Sequence, residues 1–163
     1  VDLLMHLFAT TLVKELPLFR QENVRLRFFG DLTALPKDTY DVFRQGLEET
    51  RNNDGMTFAL AVNYGSRAEL VLAEDVRAGQ VLPQDIDEDA VSRRLYTRDL
   101  PDPDLLIRTS GELRLSNYLL WQLAYTELYV SERLWPDFDR WEFLRAICSY
   151  QKRDRRFGGV VAK

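Results

Sequence analysis

The densest set of chemistry-bearing side chains lies in "IRTSGELRLSN", Ile107 to Asn117, where Arg108, Glu112, Arg114 and Ser116 surround Gly111 directly after an apolar run. Arginine presents a planar fork that matches phosphate oxygens two at a time, and glycine lets a backbone turn tightly around an anion. With a helix N-terminus expected near Asn117, the three residues Arg108, Arg114 and Ser116 are suited to encircle a diphosphate. They equally suit a surface on which Glu112 and nearby acids neutralise the arginines. Neither a P-loop nor a dinucleotide fingerprint is present to decide between the two.

Glu127 is the second anomaly, a carboxylate inside the aromatic and aliphatic run "LAYTELYV". Such a group is costly unless paired or bound to metal. Magnesium takes one or two carboxylates plus phosphate oxygens and water, so Glu127 beside a diphosphate loop would suffice, and a salt bridge to Arg108 or Arg114 would serve as well. The end of the chain, "KRDRRFGG", gathers Lys152, Arg153, Arg155 and Arg156 ahead of Gly158 and Gly159. A terminal charge run is ordinarily a solvated tail, although the glycine pair beside an arginine offers a second anion nest. His6 has no second histidine for company and reads as a surface or packing residue, and Cys148 reads as a small core residue.

These residues need elements to hold them. Leu3, Leu4, Leu7, Phe8, Leu12 and Leu16 recur at helical spacing, and Pro17 is expected to kink or end that helix. "VRLRFFGDL" alternates like a strand and stops at Gly30 and Asp31. Pro36 suits the first turn of a helix running to about Arg51, and "NNDG" is a turn before the strand "MTFALAVNYG". Helical patterns follow at Glu69 to Arg77 and Asp87 to Leu95. "PDPD", with Asp102 and Asp104 as turn formers, precedes the short strand "LLIRT". A helix from near Asn117 and another from about Asp139 to Arg153 complete the order.

Strands alternating with helices imply an α/β class, a single domain over residues 1–163 with a largely parallel central sheet flanked by helices. Ligands in such sheets sit beyond the carboxyl ends of strands, which here read "GDLT", "NYGSR" and "RTSGELRLSN". The 163 residues carry 26 acids against 22 bases, a net charge of -4, which argues against nucleic-acid binding by bulk charge. One cysteine excludes an internal disulfide framework and fits a reducing, cytoplasmic location. The longest apolar stretch is interrupted by Gln122 and Glu127 and is too short to cross a bilayer.

Taken together and in order, "NYGSR", "DPDLLIRTSGELRLSNYLLWQLAYTELYV", "LWPDF" and "RRFGG" resemble the cis-prenyltransferase family typified by undecaprenyl diphosphate synthase, across essentially the whole chain. The resemblance implies a homodimeric, magnesium-dependent enzyme that condenses isopentenyl diphosphate with an allylic diphosphate to give a cis-polyprenyl diphosphate. It implies that Arg108, Arg114 and Ser116 bind the isopentenyl diphosphate and that Glu127 is a magnesium ligand. Arg156, Phe157 and Gly158 match the family's Arg-x-Gly motif, so Arg156, Gly158 and Gly159 are expected at the diphosphate of a neighbouring active site. An apolar tunnel for the product is expected, with Phe58, Leu60, Val62 and the first helix's leucines as candidates against ordinary core packing. Trp121, Trp135 and most aromatic residues are expected in the core. The lipid product implies peripheral membrane contact.

The chain departs from the family in three places. Leu113 stands where the family often has histidine, and the segment after Arg67 is compressed. The family's Asp-Gly-Asn-Gly-Arg-Trp-like loop and the segment with its proton-removing asparagine do not occur, so the catalytic aspartate and asparagine are expected outside this chain. Two other readings compete. One is a non-catalytic accessory subunit of a heteromeric cis-prenyltransferase, which would not need to retain Arg108, Arg114, Ser116 and Glu127. The other is a phosphate- or RNA-binding module, which the acidic balance disfavours.

Overall fold

The computed structural model describes residues 2–70, 78–79 and 81–153. The chain is an α/β protein whose strands pair in parallel, and it divides into two compact units, 1–65 and 66–163.

The first unit is a β-α-β arrangement preceded by a long helix. Helix α1 spans Asp2–Gln21, strand β1 Arg25–Phe29, helix α2 Lys37–Glu49 and strand β2 Thr57–Ala61. Leu12 and Leu16 of α1, Leu26 of β1 and Phe43 of α2 form the buried core, with Phe8, Phe28 and Val62 packed against it. Phe28 stacks on Phe43 at 4.3 Å, and Phe8 meets Phe43 edge-on at 5.2 Å. The expected break at Pro17 does not occur, and α1 runs through it. Proline removes one helical hydrogen bond, but Val13 and Pro17 face solvent, where water can satisfy the freed carbonyl, while Leu16 anchors the same turn in the core.

Strands β1 and β2 pair from Arg25 with Thr57 to Phe29 with Ala61. The polar side of the unit is tied by Thr50, fully buried, whose hydroxyl accepts from the Leu26 amide at 3.1 Å and donates to the Gly46 carbonyl at 2.8 Å. Beyond the strands, the Asp31 amide donates to the Asn63 carbonyl at 3.2 Å and the Asn63 side chain donates to the Asp31 carbonyl at 2.9 Å. Gly30, with φ +123°, makes this close approach possible, since a Cβ there would sit 2.0 Å from the Val62 carbonyl oxygen. Of the tunnel candidates, Val62 packs on the core and Phe58 is exposed beside Phe19. Leu3, Leu4 and Leu7 are exposed, as is His6.

The second unit contains helix α3 at Ser66–Glu69, helix α4 at Glu88–Arg94, strand β3 at Leu105–Arg108, strand β4 at Glu127–Val130 and helix α5 at Arg140–Gln151. Most of the helical pattern from Glu69 to Arg77 lies outside the described residues. Asp87 and Asp139 cap α4 and α5, accepting from the amides of Ala90 at 2.7 Å and Glu142 at 2.8 Å. Strands β3 and β4 pair in parallel from Leu105 with Glu127 to Arg108 with Val130.

Three expectations fail in this unit. No helix begins near Asn117: residues 116–125 are turns and bends, with Ser116, Asn117 and Leu119 at positive φ, which a right-handed helix forbids. Cys148 is exposed on α5 rather than buried. Trp135 is 74% exposed and Trp121 only partly buried. Among the described residues, no helix is long and apolar enough to cross a membrane.

Candidate functional site

Alternation along the β3–β4 pair sorts its side chains onto two faces. Leu106 and Arg108 share one face with their register partners Leu128 and Val130; Leu105, Ile107, Glu127 and Tyr129 share the other. The first face opens into a cleft of about 120 Å³, lined by Leu106, Arg108, Glu112, Arg114, Leu128 and Val130 among others. The cleft therefore joins an aliphatic wall to two guanidinium groups.

Arg108 ends β3, and its Nε is buried with no hydrogen-bond partner. A buried unpaired donor on a permanent cation is costly. Arg114 is not idle, because its guanidinium is paired with the Glu112 carboxylate. Arg114 is thus neutralised by Glu112 at the surface, while Arg108 Nε has no hydrogen-bond partner.

The loop between them is held by backbone bonds. The Ser131 amide donates to the Arg108 carbonyl at 2.8 Å, the Ser110 amide to the Arg133 carbonyl at 2.7 Å, and the Gly111 amide to the Ser131 carbonyl at 2.9 Å. Gly111 therefore does turn at φ +63°, but its amide is spent on the Ser131 carbonyl, just past β4, and is not offered to an anion. Ser116, at φ 52°, is exposed and lies outside the cleft lining. With no helix at Asn117, the expected helix N-terminus does not contribute.

Glu127 begins β4, at the end of the pair opposite Arg108 and on the other face, roughly 10 Å away along the strand at about 3.3 Å per residue. Its partner is neither Arg108 nor Arg114: Oε2 accepts from the Arg153 guanidinium at 2.7 Å. Among the described residues, no three histidine, cysteine, aspartate or glutamate side chains gather as a metal site. A lone carboxylate engaged by a guanidinium does not by itself fit magnesium. Arg156, Gly158 and Gly159 lie outside the described residues.

Two buried polar groups escaped sequence reasoning. Glu142, on α5, accepts from the Ser131 hydroxyl at 2.9 Å, Arg145 at 2.9 Å and the Tyr129 hydroxyl at 3.1 Å. The Ser131 bond, then Arg145, hold its carboxyl below the ordinary range. Removal from water, reinforced by the bond to Glu142, pushes the Tyr129 phenol up. The second group joins Glu69, Thr97 and Gln122, whose amide donates to Glu69 at 3.1 Å and to Thr97 at 2.8 Å. Only the odd placement of Glu69 and Gln122 among apolar neighbours signalled it.

Parallel strand pairs flanked by helices, one pair ending in an arginine-lined cleft, make this an α/β protein. The chain belongs to the cis-prenyltransferase family: the family model described as "Putative undecaprenyl diphosphate synthase" matches residues 1–158. An isoprenyl transferase of Geobacillus kaustophilus is 50% identical over 168 residues, covering 100% of this chain and 65% of the relative. The chain thus spans somewhat less than two thirds of that relative's length. Among solved structures, a lavandulyl diphosphate synthase from Lavandula x intermedia in complex with dimethylallyl diphosphate is 38% identical with a TM-score of 0.90, over 97% of this chain and 71% of that one. A probable undecaprenyl diphosphate synthase from Campylobacter jejuni is 35% identical with a TM-score of 0.83, over 96% and 74%.

Proposed function

We propose that this chain works in an isoprenyl transferase that condenses isopentenyl diphosphate with an allylic diphosphate to give a cis-polyprenyl diphosphate. The observation that carries this reading is the buried, unpartnered Nε of Arg108 in a cleft that also holds Arg114. In the reaction, the allylic C–O bond breaks and diphosphate leaves with the electron pair. The isopentenyl double bond then forms the new C–C bond, and a proton is lost. Arg108 would hold the isopentenyl diphosphate, and Arg114 would join it by exchanging Glu112 for the phosphate oxygens. Ser116 would add a hydroxyl from the same loop. Leu106, Leu128 and Val130 offer an apolar wall for the short branched hydrocarbon. Fixing one reactant in this way supplies orientation, the main contribution a protein makes to such a step.

Magnesium belongs to the proposal as an ion accompanying the diphosphates, with Glu127 as its carboxylate only if that group gives up Arg153. A homodimer, with Arg156, Gly158 and Gly159 reaching the partner's diphosphate, is the proposed assembly. Exposed Leu134, Trp135, Trp141 and Phe143 support burial against a second copy. The proposed setting is the cytoplasm, with peripheral membrane contact through the lipid product and no nucleic-acid partner.

Calorimetric titration with isopentenyl diphosphate tests the reading. Binding by the unaltered protein that falls by about a hundredfold in Arg108→Ala is expected, the scale of losing a charged donor to a phosphate. No binding by the unaltered protein, or equal binding by the variant, overturns it.

A further inference from the structure

The segment that carries Arg114 and Ser116 is not helical, so something else must hold it in place. Ser66 is fully buried, and its amide and that of Arg67 open α3 with no carbonyl of their own helix to accept them. Both amides are taken by one residue from the arginine loop. The Ser66 amide donates to the Asn117 carbonyl at 2.9 Å, and the Arg67 amide donates to Asn117 Oδ1 at 2.9 Å. In return, the Ser66 hydroxyl accepts from the Leu120 amide at 2.9 Å. Asn117 sits at φ 61°, a conformation asparagine tolerates better than most residues. Two residues further along, Gln122 adds its bonds to Glu69 and Thr97.

We propose that Asn117 and Ser66 form a clasp that positions Arg114 and Ser116 for the diphosphate, Asn117 serving as a long-range cap of α3. The proposal rests on the reading of this loop as the isopentenyl diphosphate site. The clasp touches no substrate; it acts by fixing the backbone one residue beyond Ser116 and three beyond Arg114. Without it, the loop keeps its charge but loses its geometry, and Arg114 falls back on its local partner Glu112.

The test is a double-mutant cycle read by calorimetric binding of isopentenyl diphosphate. Asn117→Gly accepts the positive φ and removes the side chain with its Oδ1 acceptor while leaving the carbonyl that Ser66 uses; Ser66→Ala removes the buried hydroxyl at similar volume. Each is expected to weaken binding about fivefold, the scale of one lost hydrogen bond, in protein that keeps its circular dichroism and a cooperative melt. In an Arg114→Ala background the same substitutions should change binding by less than about twofold, because there is no longer a guanidinium to position. Asn117→Gly and Ser66→Ala that bind as the unaltered protein does, while Arg114→Ala binds weakly, would overturn the clasp and leave the site reading intact. Full additivity with Arg114→Ala would make the two residues merely structural. Unchanged binding in Arg114→Ala removes Arg114 from the site and overturns the clasp with it, while Arg108→Ala separately decides the site reading.

Discussion

The carboxylate of Glu127 is held at 2.7 Å by the guanidinium of Arg153, joining the first residue of β4 to the residue two positions past α5. Both side chains are about two-thirds shielded from solvent. Pairing with Arg153 and ligation of magnesium would draw on the same oxygens, so the two must compete. Glu127→Gln is expected to lower the thermal midpoint by about 2–4 °C, the effect of roughly 1 kcal/mol in a chain of this size, and, if Glu127 holds magnesium as proposed, to raise the magnesium concentration needed for half-maximal isopentenyl diphosphate binding. Arg153→Ala should also lower the midpoint but reduce the magnesium requirement. A shift of the midpoint alone in both variants assigns Glu127 to structure only.

Arg108 separates stability from function. Arg108→Met replaces a buried unpaired donor with an apolar chain of similar length, so its midpoint in urea should equal or exceed that of the unaltered protein, while diphosphate binding is lost. Arg108→Lys keeps the charge but not the fork, and isopentenyl diphosphate binding should fall on the order of a hundredfold, nearly as far as in Arg108→Ala. Isopentenyl diphosphate binding by the lysine variant comparable to that of the unaltered protein would sink the assignment.

The Glu142 carboxyl provides a pH signature. Its folded-state value lies below its ordinary 4.5 because the ionised form accepts from Ser131 and Arg145. The stability this contributes is complete above that ordinary value and is lost as pH falls through the lower, folded-state one. Urea midpoints should therefore drop on acidification in the unaltered protein. Glu142→Gln, less stable at neutral pH, should show a flatter acid limb, with the two curves converging. Parallel curves would mean that Glu142 titrates alike in both states.

Two glycines should respond differently to alanine. At Gly30 the new Cβ would meet the Val62 carbonyl oxygen, a backbone atom beside the bond from the Val62 amide to the Phe29 carbonyl. A loss of about 3–5 kcal/mol is expected, a large fraction of the folding free energy of a typical domain. At Gly111 the obstruction is the Glu132 side chain, which can swing away, leaving a left-handed penalty of about 1–2 kcal/mol. Chemical denaturation of the two variants checks the order; a Gly111→Ala that is the more damaging would contradict it.

What a single sequence reveals here follows the range of the interaction. The caps Asp87 and Asp139 act on amides three residues away, so their helices could be read locally. Gly30 and Asp31 were legible as the end of β1 from residue type alone, although the contacts they make there, with Val62 and Asn63, are remote in sequence. The arginine cluster was legible because Arg108 and Arg114 reach one cleft through a short loop. The segment from Ser116 to Tyr125 was misread because its apolar spacing imitates a helix, whereas its backbone is committed to Ser66 and its Gln122 to Glu69 and Thr97, partners remote in sequence. Glu127 was recognised as needing a partner, but Arg153, 26 residues on, was beyond local reading.

The span of the Asn117 cap also orders events in time. Arg67 and Asn117 are 50 residues apart, so on the ribosome the opening amides of α3 are made roughly 3–10 s before their acceptor, at about 5–20 residues per second. Until then water must satisfy them, and a four-residue helix has too few bonds of its own to persist. The arginine loop thus takes its shape late, together with the element that holds it. Pulse-labelling hydrogen exchange during refolding should find the amides of Ser66, Arg67 and Leu120 gaining protection in one phase, after the amides of α5 are already closed.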